Sequence, residues 1–586
     1  MRKVAFVGAA FLTALLIQAF IHFPKTSPRF QAATFRQNAI LRCSPDWSSL
    51  TSLLDETDIM PMPGAGAYKW KITTASDSAQ FYFNQGINMY YGFHIIESMA
   101  SFKKAARFDA ESPMVWWAQA LAYGPNINDV SYSATPDALK VTAKAMALLN
   151  KATPIEQALI KAMNVRYSSD TTQKRAVLNQ AYADAMKQAY TTYPKVPDVM
   201  ALYADALMLQ HPWDLWYNDG TPKPWTPQIR TVLEKAIQVA PLHPGANHYY
   251  IHVMEPSPYA SKALPSANRL GSLTPGLSHM VHMPSHIYLR TGKYIQGSSI
   301  NEEAVNRFQE YRLLFPAVND GAFLYQLHNQ HMQTNCALLA GRYAYAFKSA
   351  MEVQQFIDTT MLSLPAPMGS AVQYVYMVPV LVAIRFEKWD SLLAMPKPTD
   401  NHTYSSILYH FGRGMAFTAK DNMGAAQNER QQMQQLMKNE ELKIPMNPYS
   451  PAIDGALCAE EMLSGFMALK QKDVAQAVAH FTKAVQQEEA MVYNEPRDWL
   501  LNPNPYLGIA YLMAKQYDKA EKAFRKDLSI NDQNVWALRG LHQALQKQGK
   551  HAQAATVLQQ LNKAAVQSDV GYDALFFTNP MAFSKR

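Results

Sequence analysis

Two pairs of histidines, His248/His252 and His282/His286, are each spaced by four residues and stand 34 residues apart, and this spacing constrains the chain more than any other feature. A separation of four puts both members of a pair on one face of an α-helix. The return of that face after 34 residues calls for helical units of fixed length, stacked in order. The surrounding stretch is dense in imidazole: His243, His248, His252, His279, His282, His286, His328 and His331 are eight of the chain's 16 histidines, within 89 residues. Glu255, three places after His252, completes a helical stripe of roughly 60° with His248 and His252. His279, His282 and His286, separated by three and then four, share a second face.

With Pro244 as the start of a unit, the next begins at Ser278, and Ala263, Ala267 and Pro275 fall at the twentieth, twenty-fourth and thirty-second places of the first. A third frame starts at Leu327, after an insertion of 15 residues, with Gly341, Tyr343 and Ala346 at its turn and second helix. This pattern resembles the tetratricopeptide repeat, a 34-residue helix-turn-helix with small residues where its helices touch. The resemblance implies that the first helix of each unit lines a concave groove, with its second, fifth, ninth and twelfth places pointing inward. His248, His282 and His331 would then form one row and His252 and His286 another, bordered by Glu255, His279 and His328.

Neutral imidazole is a common ligand of Zn, Cu, Fe and Ni, and an i,i+4 pair can bring two ring nitrogens to one ion. The expected metal ligands are His248, His252, Glu255, His279, His282, His286, His328 and His331. One carboxylate among histidines suits Zn or Fe, while the nearby Met254, Met280, Met283 and Met332 would suit Cu. Two uses follow: a metalloenzyme, hydrolase or oxidoreductase, with Glu255 as base if it is not a ligand, or a metal carrier. The alternative is a metal-free scaffold that grips a peptide or protein partner in the groove. A single histidine on a helix face is ordinarily a packing residue, and methionine at helical spacing is ordinarily core; the phase of the whole set favours the metal.

At 586 residues the chain exceeds one compact core, and its recurring helices select an all-α solenoid. The net charge of +8 does not describe the body: six basic residues precede the first acidic one, Asp46, and setting them aside leaves +2. That excludes a nucleic-acid footprint, which needs clustered basic residues. Residues 1–23, a basic start and an apolar run, are expected to be a signal peptide or membrane anchor, placing the protein in a bacterial cell envelope, periplasmic or membrane-anchored. Residues 24–78 read as linker, 79–565 as the repeat array with its histidine units at 244–345, and 566–586 as a tail. Cys43, Cys336 and Cys458 are too few and too scattered for a disulfide framework.

Other units are marked by Gly86, Phe102 and Ala105, by Gly465, Ala477 and Phe481, and by Gly508, Ala520 and Phe524. The Pro- and Trp-rich segment from His211 to Pro227 reads as an inserted loop, either covering the groove through His211 and Asp214 or capping a helix pair with Trp213 and Trp216. NEPRDW, from Asn494 to Trp499, lies in another insertion and reads first as an ordinary salt-bridged loop, and second as a groove-facing loop carrying Glu495, Arg497, Asp498 and Trp499. The segments HPGANHYYIH, ALPSANRL and HMPSHIY resemble a group of bacterial tetratricopeptide proteins; that resemblance implies the architecture and brings no reaction with it.

Overall fold

The computed structural model describes residues 54, 58–127, 134–314, 323–399, 401–445 and 449–569. The expected signal or anchor segment, most of the expected linker and tail, and Cys43 lie outside them. Among the described residues the regular structure is helical, apart from two isolated bridges. None of these helices is long and apolar enough by itself to cross a membrane.

Successive helices pack as hairpins in chain order. Asp77–Tyr91 lies on Ile95–Phe108, Ala452–Lys470 on Val474–Ala490, and Asn504–Met513 on Tyr517–Ile530. Each of these pairs is joined by three residues, too few for anything but antiparallel neighbours. The middle residue of each turn, Phe93, Lys472 or Lys515, has φ near +60°, the left-handed conformation that ends a helix sharply. The pairs close on a recurring contact between a glycine and a phenylalanine 16 residues later: Gly86 with Phe102, Gly465 with Phe481, and Gly508 with Phe524. A Cβ on these glycines would lie 2.4, 2.8 and 2.6 Å from the facing ring. Gly508→Val should therefore lower the stability by about 1 to 3 kcal/mol, the cost of overpacking a close-packed core. Thermal denaturation checks it, with Gly424→Val as control, since a Cβ there meets nothing within 4 Å.

The frame read from the sequence holds through the histidine units at their starts. One helix runs Pro244–Met254 and another begins at Ser278. The second is broken: it runs Ser278–His282 and resumes at Pro284–Arg290, because Pro284 has no amide hydrogen to continue the ladder. The third unit departs from its frame, since its helix spans Phe323–Leu339 and so starts four residues before Leu327. The long helix before it, Tyr294–Leu314, ends close to where the 34-residue frame from Ser278 closes. Among the described residues the last helix is His551–Ala564.

Residues 58–76 differ from the expected linker. Ile59, Met62, Trp70 and Ile72 are buried, and the Trp70 ring packs edge-on against Phe83 and Trp117. The sequence pattern missed this because the segment is extended and aperiodic, docked by side chains rather than by a helical face. Two apolar clusters form the core. One gathers residues from Leu54 to Tyr311, the other from Leu289 to Ala565, so the chain passes from one to the other within the histidine units. Met254, Met280, Met283 and Met332 are fully buried in these clusters, as core methionines ordinarily are. Cys336 and Cys458 are free and buried.

Candidate metal centre

Six of the seven histidines expected as ligands converge in two sets of three. His248 and His252, one turn apart on Pro244–Met254, meet His279 from the next unit; His282 and His286 meet His328. Within each set the donor nitrogens lie within 4.8 Å of one another. The rings are enclosed: His248, His282 and His286 are fully buried.

The hydrogen bonds determine which nitrogen of each ring faces inward. His248 Nδ1 lies 2.6 Å from the Tyr91 carbonyl oxygen, which only accepts, so Nδ1 carries the proton and Nε2 presents a lone pair. His252 Nδ1 donates to Glu255 Oε1 at 2.9 Å. Asn301 Nδ2 donates to the Gly297 carbonyl at 2.7 Å, which turns its Oδ1 toward His282 Nδ1, 2.6 Å away. His286 Nδ1 sits 2.7 Å from Glu255 Oε2. Three rings thus have Nδ1 hydrogen-bonded to an oxygen and the fourth lies beside one, the arrangement that orients metal-binding histidines and strengthens the opposite nitrogen as a ligand.

Those opposite nitrogens face one another. His248 Nε2 is 3.1 Å from both His252 Nε2 and His279 Nε2, and His282 Nε2 is 2.8 Å from His286 Nε2. Burial is the main force holding the His248, His279, His282 and His328 rings well below the usual histidine range, with the neighbouring imidazoles adding to it. Burial also lowers His252, against the opposing pull of Glu255. His248 and His252, neutral and each with its proton on Nδ1, turn lone pairs toward one another and repel at this separation unless a cation lies between them. Two ligands about 2.0 to 2.1 Å from a tetrahedral ion are about 3.4 Å apart, close to the spacing seen.

Two carboxylates join the sets. Burial pushes the Glu255 carboxyl up, but the nearby His286 ring and the hydrogen bond from His252 outweigh it and hold the group ionised. Its Oε2 also accepts from Tyr493 Oη at 2.9 Å. Both oxygens are therefore engaged, and Glu255 positions histidines from both sets; the base role expected of it from the sequence does not suit a carboxylate so occupied. Glu495 stands open beside it. Its Oε1 is 3.8 Å from His252 Nδ1, and its Oε2 is 3.4 Å from His286 Nε2 and 3.6 Å from His328 Nε2. Burial and the Glu255 charge push its carboxyl well above the ordinary range.

No protein-family model matches the chain, and no curated protein matches it. Solved structures that resemble it include human IFIT1 with m7Gppp-AAAA, at 12% identity and TM-score 0.32 over 86% of this chain and 97% of that one. A chain of the APC/C hetero-tetramer Cut9-Hcn1 matches at 14% identity and TM-score 0.25, over 90% of this chain and 80% of that one. Yeast Tom70 matches at 11% identity and TM-score 0.29, over 78% and 92%. These scores are low, so the architecture stands on the helix pairing described above.

The remaining expected residues are placed as follows. His331 joins neither set; burial lowers it to about 4, and it lines an adjoining cavity with Tyr374. His243 caps its helix, Nδ1 accepting from the Ala246 amide at 3.0 Å while Nε2 faces Asp198. In the loop after His211, the His211 ring stacks on Trp225 and Asp214 pairs with Lys223, so neither reaches the centre. Trp213 does, its ring 5.2 Å from that of His252. Phe93 covers the first set from the other side, 4.6 Å from the His248 ring.

NEPRDW divides between the two readings offered for it. Arg497 forms the ordinary ion pair, with Glu488 at 2.6 Å, whereas Glu495 reaches the histidines. Sequence reasoning did not find Tyr493 or Asn301, and gave Glu495 only second place. The one signal was that NEPRDW sits in an insertion.

Proposed function

We propose that the protein is a metalloenzyme whose histidine sets each hold one transition-metal ion. His248, His252 and His279 would bind the first, and His282, His286 and His328 the second. Three protein ligands leave a coordination position open on each ion, which a carrier does not need and a catalyst does. The ions would supply Lewis acidity or redox chemistry, and the nitrogen-rich donor set suits Zn, Cu or Fe. Glu495, next to His286 and His328 and favoured in its protonated form by burial and the Glu255 charge, would give a proton to a molecule bound beside it.

The observation that carries this reading is the meeting of His248 Nε2 with His252 Nε2 while both Nδ1 atoms are committed to oxygens. Rings recognising a peptide would face an open groove. These rings are buried, so a protein partner of this helical stack would use its other faces. Elemental analysis of protein purified without a histidine tag tests the proposal, with two equivalents of metal per chain expected. Protein that holds no metal and takes up none at micromolar Zn, Cu or Fe sinks it.

A further inference from the structure

Beside the metal centre lies a cavity of about 130 Å³ whose wall includes Glu495. Apolar cavities of ~150 Å³ accept benzene, so this space suits one six-membered ring and not two. Its walls are largely aromatic and aliphatic: Tyr374 and Tyr404 stand nearly parallel, 6.0 Å apart, with Val375, Ile444 and Met491 also lining it. Polar side chains interrupt this wall, and two of them bear on a ligand's hydroxyl. His331 Nε2 is buried without a hydrogen-bond partner in a residue 8% exposed, and it belongs to this wall rather than to either metal set. Tyr374 Oη accepts from the Leu500 amide at 3.0 Å and keeps its own hydrogen to donate.

The charges present argue against an ionic ligand. Glu495 and Asp498 both line the cavity, and burial favours the uncharged form of each, so neither offers a fixed charge to a ligand. Burial pushes the Asp498 carboxyl up to about 7, which weakens any hold on an ammonium. Arg497, the cation of this wall, is committed to Glu488. We infer that the cavity binds one small uncharged aromatic alcohol, a phenol by chemical class, with its ring against Tyr374 and Tyr404, its hydroxyl on His331, and Glu495 between it and the metal centre. This rests on the metalloenzyme reading for what the ligand is presented to, and stands apart from it for whether the ligand binds.

The experiment is a calorimetric titration of phenol, toluene and benzoate into untagged protein, as purified and after chelation, with metal content measured on the same samples. Phenol should bind saturably at one site, and more tightly than benzoate. Ala371→Phe, which adds a ring from a partly exposed wall position, should weaken phenol at least tenfold with metal content unchanged. His331→Leu removes an unpaired buried nitrogen and should fold as well as the parent; it should weaken phenol about fivefold and leave toluene unaffected, as loss of one hydrogen bond predicts. No saturable phenol binding, binding indifferent to Ala371→Phe, or benzoate bound more tightly than phenol overturns the inference, even when both metals load. Phenol binding to protein that never takes up metal supports the pocket and sinks the metalloenzyme reading instead.

Discussion

His248→Ala should reduce bound metal from two ions per chain to about one, His282→Ala should do the same, and the double variant should hold none. Each substitution leaves two imidazoles in its own set and three in the other, because the i,i+4 pairs belong to different sets. Stability supplies a second readout of opposite sign in the two states. Without metal, the parent protein keeps buried imidazole nitrogens crowded together at 3.1 and 2.8 Å, so removing one ring offsets part of the cavity it leaves. With metal, the parent gains what the variant cannot: binding at 100 times its dissociation constant stabilises the fold by about 2.7 kcal/mol per site. Thermal melts with and without chelator should therefore show a large metal-dependent shift in the parent and roughly half of it in each single variant. Equal melting temperatures for the parent in both conditions would mean that no ion bridges these rings.

Much of this centre is legible in the chain because its ligands come mostly from local helical spacing. His248 and His252 lie one turn apart, as do His282 and His286, and the helix starts at Pro244 and Ser278 follow the repeat frame. How they group is not legible. The frame aligns His248 with His282 and His331, but the ladder breaks before Pro284, and His248 meets His279 instead. The third unit shows the same limit: its helix begins at Phe323, inside an insertion, and presents His328 where the frame favoured His331. The carboxylate side was harder still. Glu495 and Tyr493 arrive from about 240 residues away, through a contact that no local period encodes. Asn301, in the middle of a long helix, has nothing in its sequence context to mark it as the partner of His282. Pattern reading finds what a helix face repeats and misses what the stacking brings in.

Glu255→Gln separates a residue that serves both sets from one that serves a single ion. The parent carboxylate has only acceptors, and it meets two donors, His252 Nδ1 and Tyr493 Oη, each at 2.9 Å, while His286 Nδ1 lies 2.7 Å from Oε2. Glutamine has the same shape but presents a donating amino group to one side, so either His252 loses its acceptor or His286 loses the oxygen beside it. The charge that makes both rings better ligands disappears at the same time. Partners of this kind are worth about 10- to 100-fold in metal affinity, and here the loss should appear at both sites. Asn301→Ala is the contrast, since it touches only His282 and should weaken the second site alone. Competition against a chromogenic chelator reads the two affinities in one titration. Weakening of a single site by Glu255→Gln would show that the two sets do not depend on this carboxylate in common, and that each histidine pair holds its ion by helix geometry alone.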